Sequence, residues 1–490
     1  MRSAWRVADV RAAERALMGT LPAGTLMRRA AGGLAGHCAR LLAERRGGVY
    51  GAEVLLLVGS GDNGGDTLYA GARLAGRGAA VSAVLLAAER THQGGLAAFR
   101  AAGGRVRDGL PDRADLVLDG IVGIGGSGGL REPAARLLAE LSGLTGRSGD
   151  RPLVVAVDVP SGVEVDTGDV PRSAGLPGTV TADLTVTFGC LKPALVVGPA
   201  APRAGQVELV DIGLGPWLRA TPAVRVAEWS DVRAWWPRLG PEEEKYSRGV
   251  VGLATGSATY PGAAVLSVGG AVAGPTGMIR YAGGARADVL RRYPSVVAAD
   301  RVNDAGRVQA WVCGSGLGTD ERAATELRCV LAAPVPVVLD ADALTLLVDG
   351  SMAERLRERD APIVVTPHDR EYARLCGEPP GADRVGAALQ LASWMNAVVL
   401  LKGDRTVVAT PDGRAFANPT GTPVLATGGT GDVLAGLLGS LLAAGLPAER
   451  AAVVAAYLHG LAGQEAARRG PVVAADVAAA LRPVIARLSR

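Results

Sequence analysis

A carboxylate closes a glycine-rich hexapeptide, Thr427-Gly428-Gly429-Thr430-Gly431-Asp432, and an apolar run over residues 433–446 follows at once. A loop of this kind opening a helix directs free N–H groups and the positive helix end at one point, a ready anion site. Asp432 stands where a carboxylate would otherwise repel a phosphate. It therefore reads as a base acting on an oxygen next to a phosphoryl group. Phosphoryl transfer needs such a base for the attacking hydroxyl, donors for the transferring group, and usually Mg²⁺ between the phosphates. Residues 428–431 supply the donors and Asp432 the base.

Other strings in the second half put chemistry at the ends of apolar runs. Lys402-Gly403-Asp404-Arg405-Thr406 follows one such run; its ammonium can steady nucleotide phosphates, and Gly403 lets the backbone approach. Gly314-Ser315-Gly316-Leu317-Gly318 could wrap a phosphate or a sugar. Asp340-Ala341-Asp342 offers two carboxylates, with helix capping as the alternative use. Thr366-Pro367-His368 holds an imidazole on a rigid turn, which favours substrate contact over a plain turn residue.

In the first half, Gly59-Ser60-Gly61-Asp62-Asn63-Gly64 satisfies G-x-G-x-x-G, and Glu89 lies about where a ribose-binding acid would. Alone this suggests a dinucleotide-binding dehydrogenase. Yet Asp62, Asn63 and Asp66 crowd the loop with oxygens that suit a hard cation better than a pyrophosphate. A plain turn is the remaining use. Asp119 precedes Gly123-Ile124-Gly125-Gly126-Ser127-Gly128-Gly129, which reads as a backbone cradle for a phosphate-bearing ligand or as a cap and flexible loop. Asp158-Val159-Pro160-Ser161-Gly162 brings a carboxylate and a hydroxyl to the same edge, and Lys192 either offers that crevice a positive charge or, equally well, stands solvated on the surface.

The elements that must position these groups repeat one pattern: apolar strand, glycine-rich loop, helix. Strands are expected near residues 52–58, 79–87, 115–122, 153–159 and 181–188, and again near 249–254, 308–312, 335–339, 363–365 and 397–401. Continuous apolar strands alternating with helices imply parallel sheets covered on both faces, with ligands at the carboxyl edge. Residues 406–418 read as a hairpin turning at Asp412-Gly413. The 490 residues exceed one ordinary domain, and punctuation near residues 215–230 places a boundary there.

Composition excludes several classes. A net charge of +4, with scattered arginines, argues against nucleic acid or a membrane surface as partner. Five cysteines without a C-x-x-C argue against zinc and for a reducing cytoplasm. The uncharged stretch 261–279 carries too much glycine for a membrane span and reads as a buried helix.

Over nearly its whole length the chain resembles the bifunctional NAD(P)H-hydrate repair enzymes. In the C-terminal half the strings are Lys245-Tyr246-Ser247-Arg248-Gly249, GSGLG, LDADAL, TPHDREYARL, LKGDRTVVATPDG, NPTGTPVLATGGTGDVLAG and LHGLAGQEAA; in the N-terminal half they are GSGDNGGD, LDGIVGIGGSGG, VAVDVPSG and TVTFGCLKP. The resemblance implies a Rossmann-like three-layer α/β sandwich with epimerase activity over residues 1–218. It implies a ribokinase-like ADP- or ATP-dependent dehydratase over 225–490. Asn63, Asp119 and Ser161 would hold a potassium ion. Asp62-Asn63-Gly64-Gly65-Asp66, residues 123–129 and Asp158 would contact hydrated NADH or NADPH. In the second half Ala263, Gly318, His368 and Asp432 would contact the hydrate, and residues 402–406 with Gly431 the adenine nucleotide. A homo-oligomer in the cytoplasm is expected. The chain departs from the family's pattern at Asp62, where asparagine is usual, and at Thr67, Ile124 and Ser315.

Overall fold

The computed structural model describes residues 1–489 apart from 147–148, 172–174, 239 and 349. They form two compact units, Ser3–Ala223 and Val224–Arg490, the latter taking in Met1–Arg2.

The N-terminal unit is built on a seven-stranded sheet in the order Arg105–Arg107, Ala80–Leu85, Glu53–Val58, Leu116–Gly120, Leu153–Val157, Leu184–Phe188, Gln206–Val210. Every pairing is parallel. Side chains alternate between two cores. Val54, Leu56 and Val58 pack with Leu34, Leu68 and Phe99 from helices Thr25–Arg46, Asp62–Ala75 and Gln93–Ala101. Leu55 and Leu57 face the other way, toward Val117 and Ala135 of helix Ala134–Glu140. Three layers result, as the apolar strand runs predict. From Glu53–Val58 the chain winds outward to Arg105–Arg107 and then returns to Leu116–Gly120, so a topological switch point opens between the two strands.

The sheet of the C-terminal unit runs Val224–Val226, Ala415–Ala417, Val407–Ala409, Val398–Leu401, Ile363–Val365, Val337–Leu339, Ala310–Cys313, Val250–Ala254, Met278–Ala282, Val297–Ala299. From Val398–Leu401 to Val297–Ala299 all pairings are parallel. The expected hairpin is present as the antiparallel strands Val407–Ala409 and Ala415–Ala417. One face of the sheet carries the main core, built with helices Pro261–Ala273, Thr430–Ala443, Ala448–Ala467 and Ala474–Ile485.

The glycine-rich stretch 261–279 is only partly helical: helix Pro261–Ala273 ends at Gly274, and strand Met278–Ala282 begins soon after. Pro275 cannot continue a helix and disfavours helical geometry in the residue before it. Within the helix the glycines permit backbone contact. A Cβ on Gly270 would stand 2.0 Å from the Val433 carbonyl oxygen, and one on Gly436 1.8 Å from that of Ser267. Helices Pro261–Ala273 and Thr430–Ala443 thus lie against each other, which fixes Ala263 relative to Asp432. Among the described residues no helix is long and apolar enough to cross a membrane.

Candidate active sites

At the switch point of the N-terminal unit the strand ends surround a cavity of about 1100 Å³, lined in part by Asp62, Asn63, Asp66, Gly123, Ile124, Gly125 and Asp158. The loops meet because residue 59 is glycine: a Cβ there would stand 1.8 Å from the Ile121 carbonyl oxygen. Asp158 adopts φ 70°, a left-handed conformation that Asp tolerates better than most residues. Its Oδ1 accepts from Lys192 Nζ at 2.5 Å, Thr187 Oγ1 at 3.0 Å and Phe188 N at 3.2 Å. Lys192 is 1% exposed and also donates to Thr187 Oγ1 and the Phe188 carbonyl, each at 3.0 Å. The lysine is therefore a buried partner of Asp158, with its three donors used.

Two further carboxyls face this pair. Asp66 is 9% exposed and its Oδ1 has no hydrogen-bond partner. Burial, reinforced by the charges of Asp158, Asp62 and Glu14, raises its pKa well above the usual carboxylate range. Glu14 lines the cavity from helix Val7–Met18 and is raised in the same way, by burial first and then by Asp158.

Beside the cavity, Asp119 is wholly buried in strand Leu116–Gly120. It accepts from Ser161 Oγ at 2.6 Å, Ser161 N at 2.8 Å and Ile121 N at 3.3 Å. Burial pushes its pKa up to about 6 against the pull of those hydrogen bonds. Among the described residues it has no ion-pair partner, so a cation would fit. Neutral oxygens are at hand: Ser161 Oγ lies 3.1 Å from the Val122 carbonyl, and the Asn63 amide spans Val157 O (3.1 Å) and Gly123 N (3.3 Å) once its O and N are exchanged to suit those neighbours. Few charges and many neutral oxygens suit a monovalent ion better than a transition metal.

In the C-terminal unit, Asp432 occupies the first turn of helix Thr430–Ala443, whose N-cap Gly429 has φ 90°. The first-turn amides have no acceptor within the helix. Burial, and then the charge of Asp340, pushes the Asp432 pKa up to about 7, against the pull of Lys402. Asp340 is 2% exposed and takes hydrogen bonds from Lys402 Nζ at 2.7 Å, Thr366 Oγ1 at 2.8 Å and Ser315 Oγ at 3.0 Å. Burial works against its charge, yet these donors hold its pKa below the ordinary value. Lys402 Nζ is also 3.5 Å from Glu371 Oε2, and a Cβ on Gly431 would stand 3.5 Å from the same ammonium. Despite burial, the neighbouring carboxylates keep Lys402 charged to higher pH than a free lysine.

Two family models match the chain. One, described as NAD(P)H-hydrate dehydratase, covers residues 251–483; the other, described as YjeF-related protein N-terminus, covers residues 23–194. The bifunctional NAD(P)H-hydrate repair enzyme of Mycobacterium tuberculosis (strain ATCC 25618 / H37Rv) is 51% identical over 452 residues, which covers 92% of this chain and 91% of that protein. Its counterpart in Mycobacterium leprae (strain TN) is 49% identical over 472 residues, or 96% of each chain. The chain belongs to the bifunctional NAD(P)H-hydrate repair enzymes. Among solved structures, a ribokinase-like superfamily protein from Enterococcus faecalis V583 is 25% identical with a TM-score of 0.50, covering 55% of this chain and 98% of that one.

In this member of the family the predicted site residues are unevenly gathered. Of the expected cradle 123–129, Gly123, Ile124 and Gly125 line the cavity, whereas Gly126, Ser127, Gly128 and Gly129 are not among its lining residues. The Gly128 amide is already used by Glu164 Oε1 at 2.5 Å. Gly64 and Gly65 lie behind the wall; a Cβ on Gly64 would stand 2.3 Å from the Gly59 carbonyl. Glu89 is exposed in a short 3₁₀ turn and does not line the cavity, so the ribose-acid reading of G-x-G-x-x-G fails. Ala263 sits in the first turn of helix Pro261–Ala273, and Gly318, at φ 92°, gives its amide to Asp342 Oδ2 at 2.8 Å. His368 caps helix Asp369–Cys376: its Nδ1 accepts from Arg370 N at 3.1 Å and Glu371 N at 3.2 Å. The proton of the neutral ring is thereby placed on Nε2. Gly403 and Asp404 are exposed, Arg405 donates to the Pro419 carbonyl at 2.9 Å, and Thr406 closes the loop on the Gly403 carbonyl at 3.0 Å.

Several groups escaped the sequence reading. Glu14 falls on the apolar stripe Val10, Ala13, Leu17 of its helix, a spacing that marks an inward-facing acid. Glu371 is 5% exposed and links His368 to Lys402, but its string reads as an ordinary helix start. His459 is buried in helix Ala448–Ala467, beside the Thr430 backbone, and burial lowers its pKa to about 4.

Proposed function

We propose that the chain repairs hydrated NADH and NADPH in two steps, one in each unit. The first unit interconverts the R and S epimers of the hydroxylated ring. The second uses ADP, or ATP, to dehydrate the S form. The observation that carries this reading is the placement of Asp432 at the mouth of a helix, ionising near neutrality beside Lys402 and Asp340.

In the dehydratase unit the ionised Asp432 takes the proton of the ring hydroxyl as that oxygen attacks the nucleotide's terminal phosphorus. The P–O bond to the leaving nucleotide breaks, and the ring carries a phosphate ester. Phosphate is a far better leaving group than hydroxide. Its C–O bond then breaks, the neighbouring carbon loses a proton, and the ring double bond is restored with release of inorganic phosphate. The amides of the first helical turn and the Lys402 ammonium face the charge that develops on phosphorus. Among the described residues no group of three or more His, Cys, Asp or Glu is arranged to hold a metal. Mg²⁺, when used, would ride on the nucleotide's own oxygens and water, offsetting phosphate charge.

In the epimerase unit Asp158, held by Lys192, takes the proton of the ring hydroxyl as the adjacent C–N bond breaks and a carbonyl forms; the proton passes to the freed nitrogen, and the reverse steps close the ring on the other face. Asn63, Asp119 and Ser161 would hold a potassium ion, which supplies a positive charge that braces the loops around the cavity. All five cysteines are free, which supports a reducing compartment such as the cytoplasm.

The test is to incubate the protein with both epimers of hydrated NADH, ADP and Mg²⁺, and to follow the reduced nicotinamide at ~340 nm. Full recovery is the expected result. Recovery of the S fraction alone would leave only the dehydratase, and a stable phosphoester with no absorbance would make the second unit a kinase. A second expectation concerns pH. A base titrating at about 7 must be ionised to act, so kcat/KM for dehydration should fall roughly tenfold per pH unit below that value and level off above it. A profile flat from pH 5 to 9, an interval spanning about two units either side, would remove Asp432 from that role.

A further inference from the structure

The cavity of the N-terminal unit is long, and its two ends differ in chemistry. Along the sheet edge the strands follow the order Ala80–Leu85, Glu53–Val58, Leu116–Gly120, Leu153–Val157, Leu184–Phe188. Asp158 follows the fourth of these and Lys192 the fifth. His92 follows the first. With strands about 4.8 Å apart, the three spacings from the first to the fourth come to about 14 Å. That length suits the two ring systems of an extended dinucleotide and exceeds what a mononucleotide needs.

The end opposite Asp158 is aromatic. Tyr69 and His92 line the cavity, are each half-buried, and meet edge to face with ring centroids 5.8 Å apart and planes at 65°. Tyr69 continues the stripe Asp62, Asp66 at helical spacing, so helix Asp62–Ala75 presents all three on one face. Met27 joins them: a Cβ on Gly65 would stand 3.0 Å from both Met27 Cε and His92 Cγ. His92 Nδ1 accepts the Gly95 amide at 2.9 Å, so the neutral ring keeps its proton on Nε2 as a donor. Two rings set at an angle, a thioether methyl and one N–H make a corner for a flat heteroaromatic base. Between the ends, Arg11 Nη2 lies 3.2 Å from where a Gly125 Cβ would be, and so brings a positive charge to the middle of the cavity.

We propose that Tyr69, His92 and Met27 form the adenine subsite of this cavity, with the substrate's diphosphate beside Arg11 and Gly125 and its hydrated ring at Asp158. This rests on the epimerase reading above and adds the direction in which the dinucleotide lies. It also gives Arg11 a purpose: its charge offsets the repulsion that Asp62 would exert on a diphosphate.

The test compares epimer exchange of hydrated NADH with that of hydrated nicotinamide mononucleotide, which lacks the adenosine. In the wild-type chain kcat/KM should favour the dinucleotide. In Tyr69→Ala and His92→Ala that preference should fall about tenfold each, the size expected for loss of one base-stacking partner. Tyr69→Phe should keep it, because the ring remains. A preference unchanged in both alanine variants overturns the subsite, and so does an equal loss on both substrates, which would mark the rings as merely structural. Failure of the wild-type chain to exchange either substrate would instead overturn the epimerase reading itself.

Discussion

Asp432→Asn should lower kcat for nucleotide-dependent dehydration by about 10²–10⁴, the range that a positioned general base contributes, while epimer exchange in the other unit is untouched. Asparagine keeps the shape, but it cannot take a proton. Nucleotide binding should hold or tighten, since a carboxylate beside the phosphates is gone. The same substitution should stabilise the fold in alkaline solution. The Asp432 pKa is raised, so ionising the side chain in the native state is disfavoured, and stability is lost as pH rises through about 7. The variant has nothing to ionise. At pH 8, a unit above that value, it should melt higher than the wild-type chain, whereas below the ordinary carboxylate range the two should converge. Calorimetry at the two pH values, beside a dehydration assay, checks both halves. A fall in activity together with a lower melting temperature at pH 8 would make Asp432 a structural residue instead.

The two sites share a device. Among the described residues three non-glycine positions have positive φ, and two of them are Asp158 at 70° and Ala341 at 49°. Such conformations persist only where the surroundings over-determine them. Asp158 is held by three donors to its Oδ1. Ala341 lies between Asp340, tied to Lys402, Thr366 and Ser315, and Asp342, which takes the Gly318 amide. In each case a turn at the end of a parallel strand is bent so that a carboxylate points back to a lysine, buried at Lys192 and half-buried at Lys402. Against burial, Lys402 helps to hold Asp340 below the ordinary carboxylate range, and beside each pair an acid without such a tie, Asp66 or Asp432, is left with a raised pKa. Asp340 and Asp432 are thus a pair of carboxyls pushed apart, which is what acid–base chemistry requires.

Much of this was legible in the residues, for reasons that vary by element. Buried parallel strands announce themselves as runs such as Glu53–Val58 and Val398–Leu401, because both faces must be apolar. Short outer strands do not: Arg105–Arg107 is exposed throughout, so nothing in its composition separates it from a loop. The glycine-rich loops were visible because close approach excludes a Cβ, as at Gly59. Which of their residues face the cavity was not, since residues 126–129 are as glycine-rich as 123–125 and composition does not show where the chain turns. Lys192 looked as suited to solvent as to a site, because its partner Asp158 lies 34 residues earlier in the chain. Tyr69 and His92 gave no signal, since they become neighbours only when the helix after one strand packs on the loop after the next.

The Asp158–Lys192 pair supplies the other large effect, and it can be separated from folding. Asp158→Asn keeps a residue that tolerates positive φ, but it leaves the Lys192 ammonium, 1% exposed, without its counter-charge. Breaking a buried pair from one side costs about 3–5 kcal/mol, so the single variant should be both unstable and unable to exchange epimers. Replacing both partners removes the stranded charge: Asp158→Asn with Lys192→Met should recover most of the lost stability, because a methionine fills the lysine's apolar channel. Exchange should not return. If Asp158 acts only as a structural ion, the double variant, refolded and stable, should exchange epimers at a rate near wild type. A rate still lower by about 10² or more, with dehydration of the S epimer intact in the same chain, assigns the proton transfer to Asp158 and confines it to the N-terminal unit.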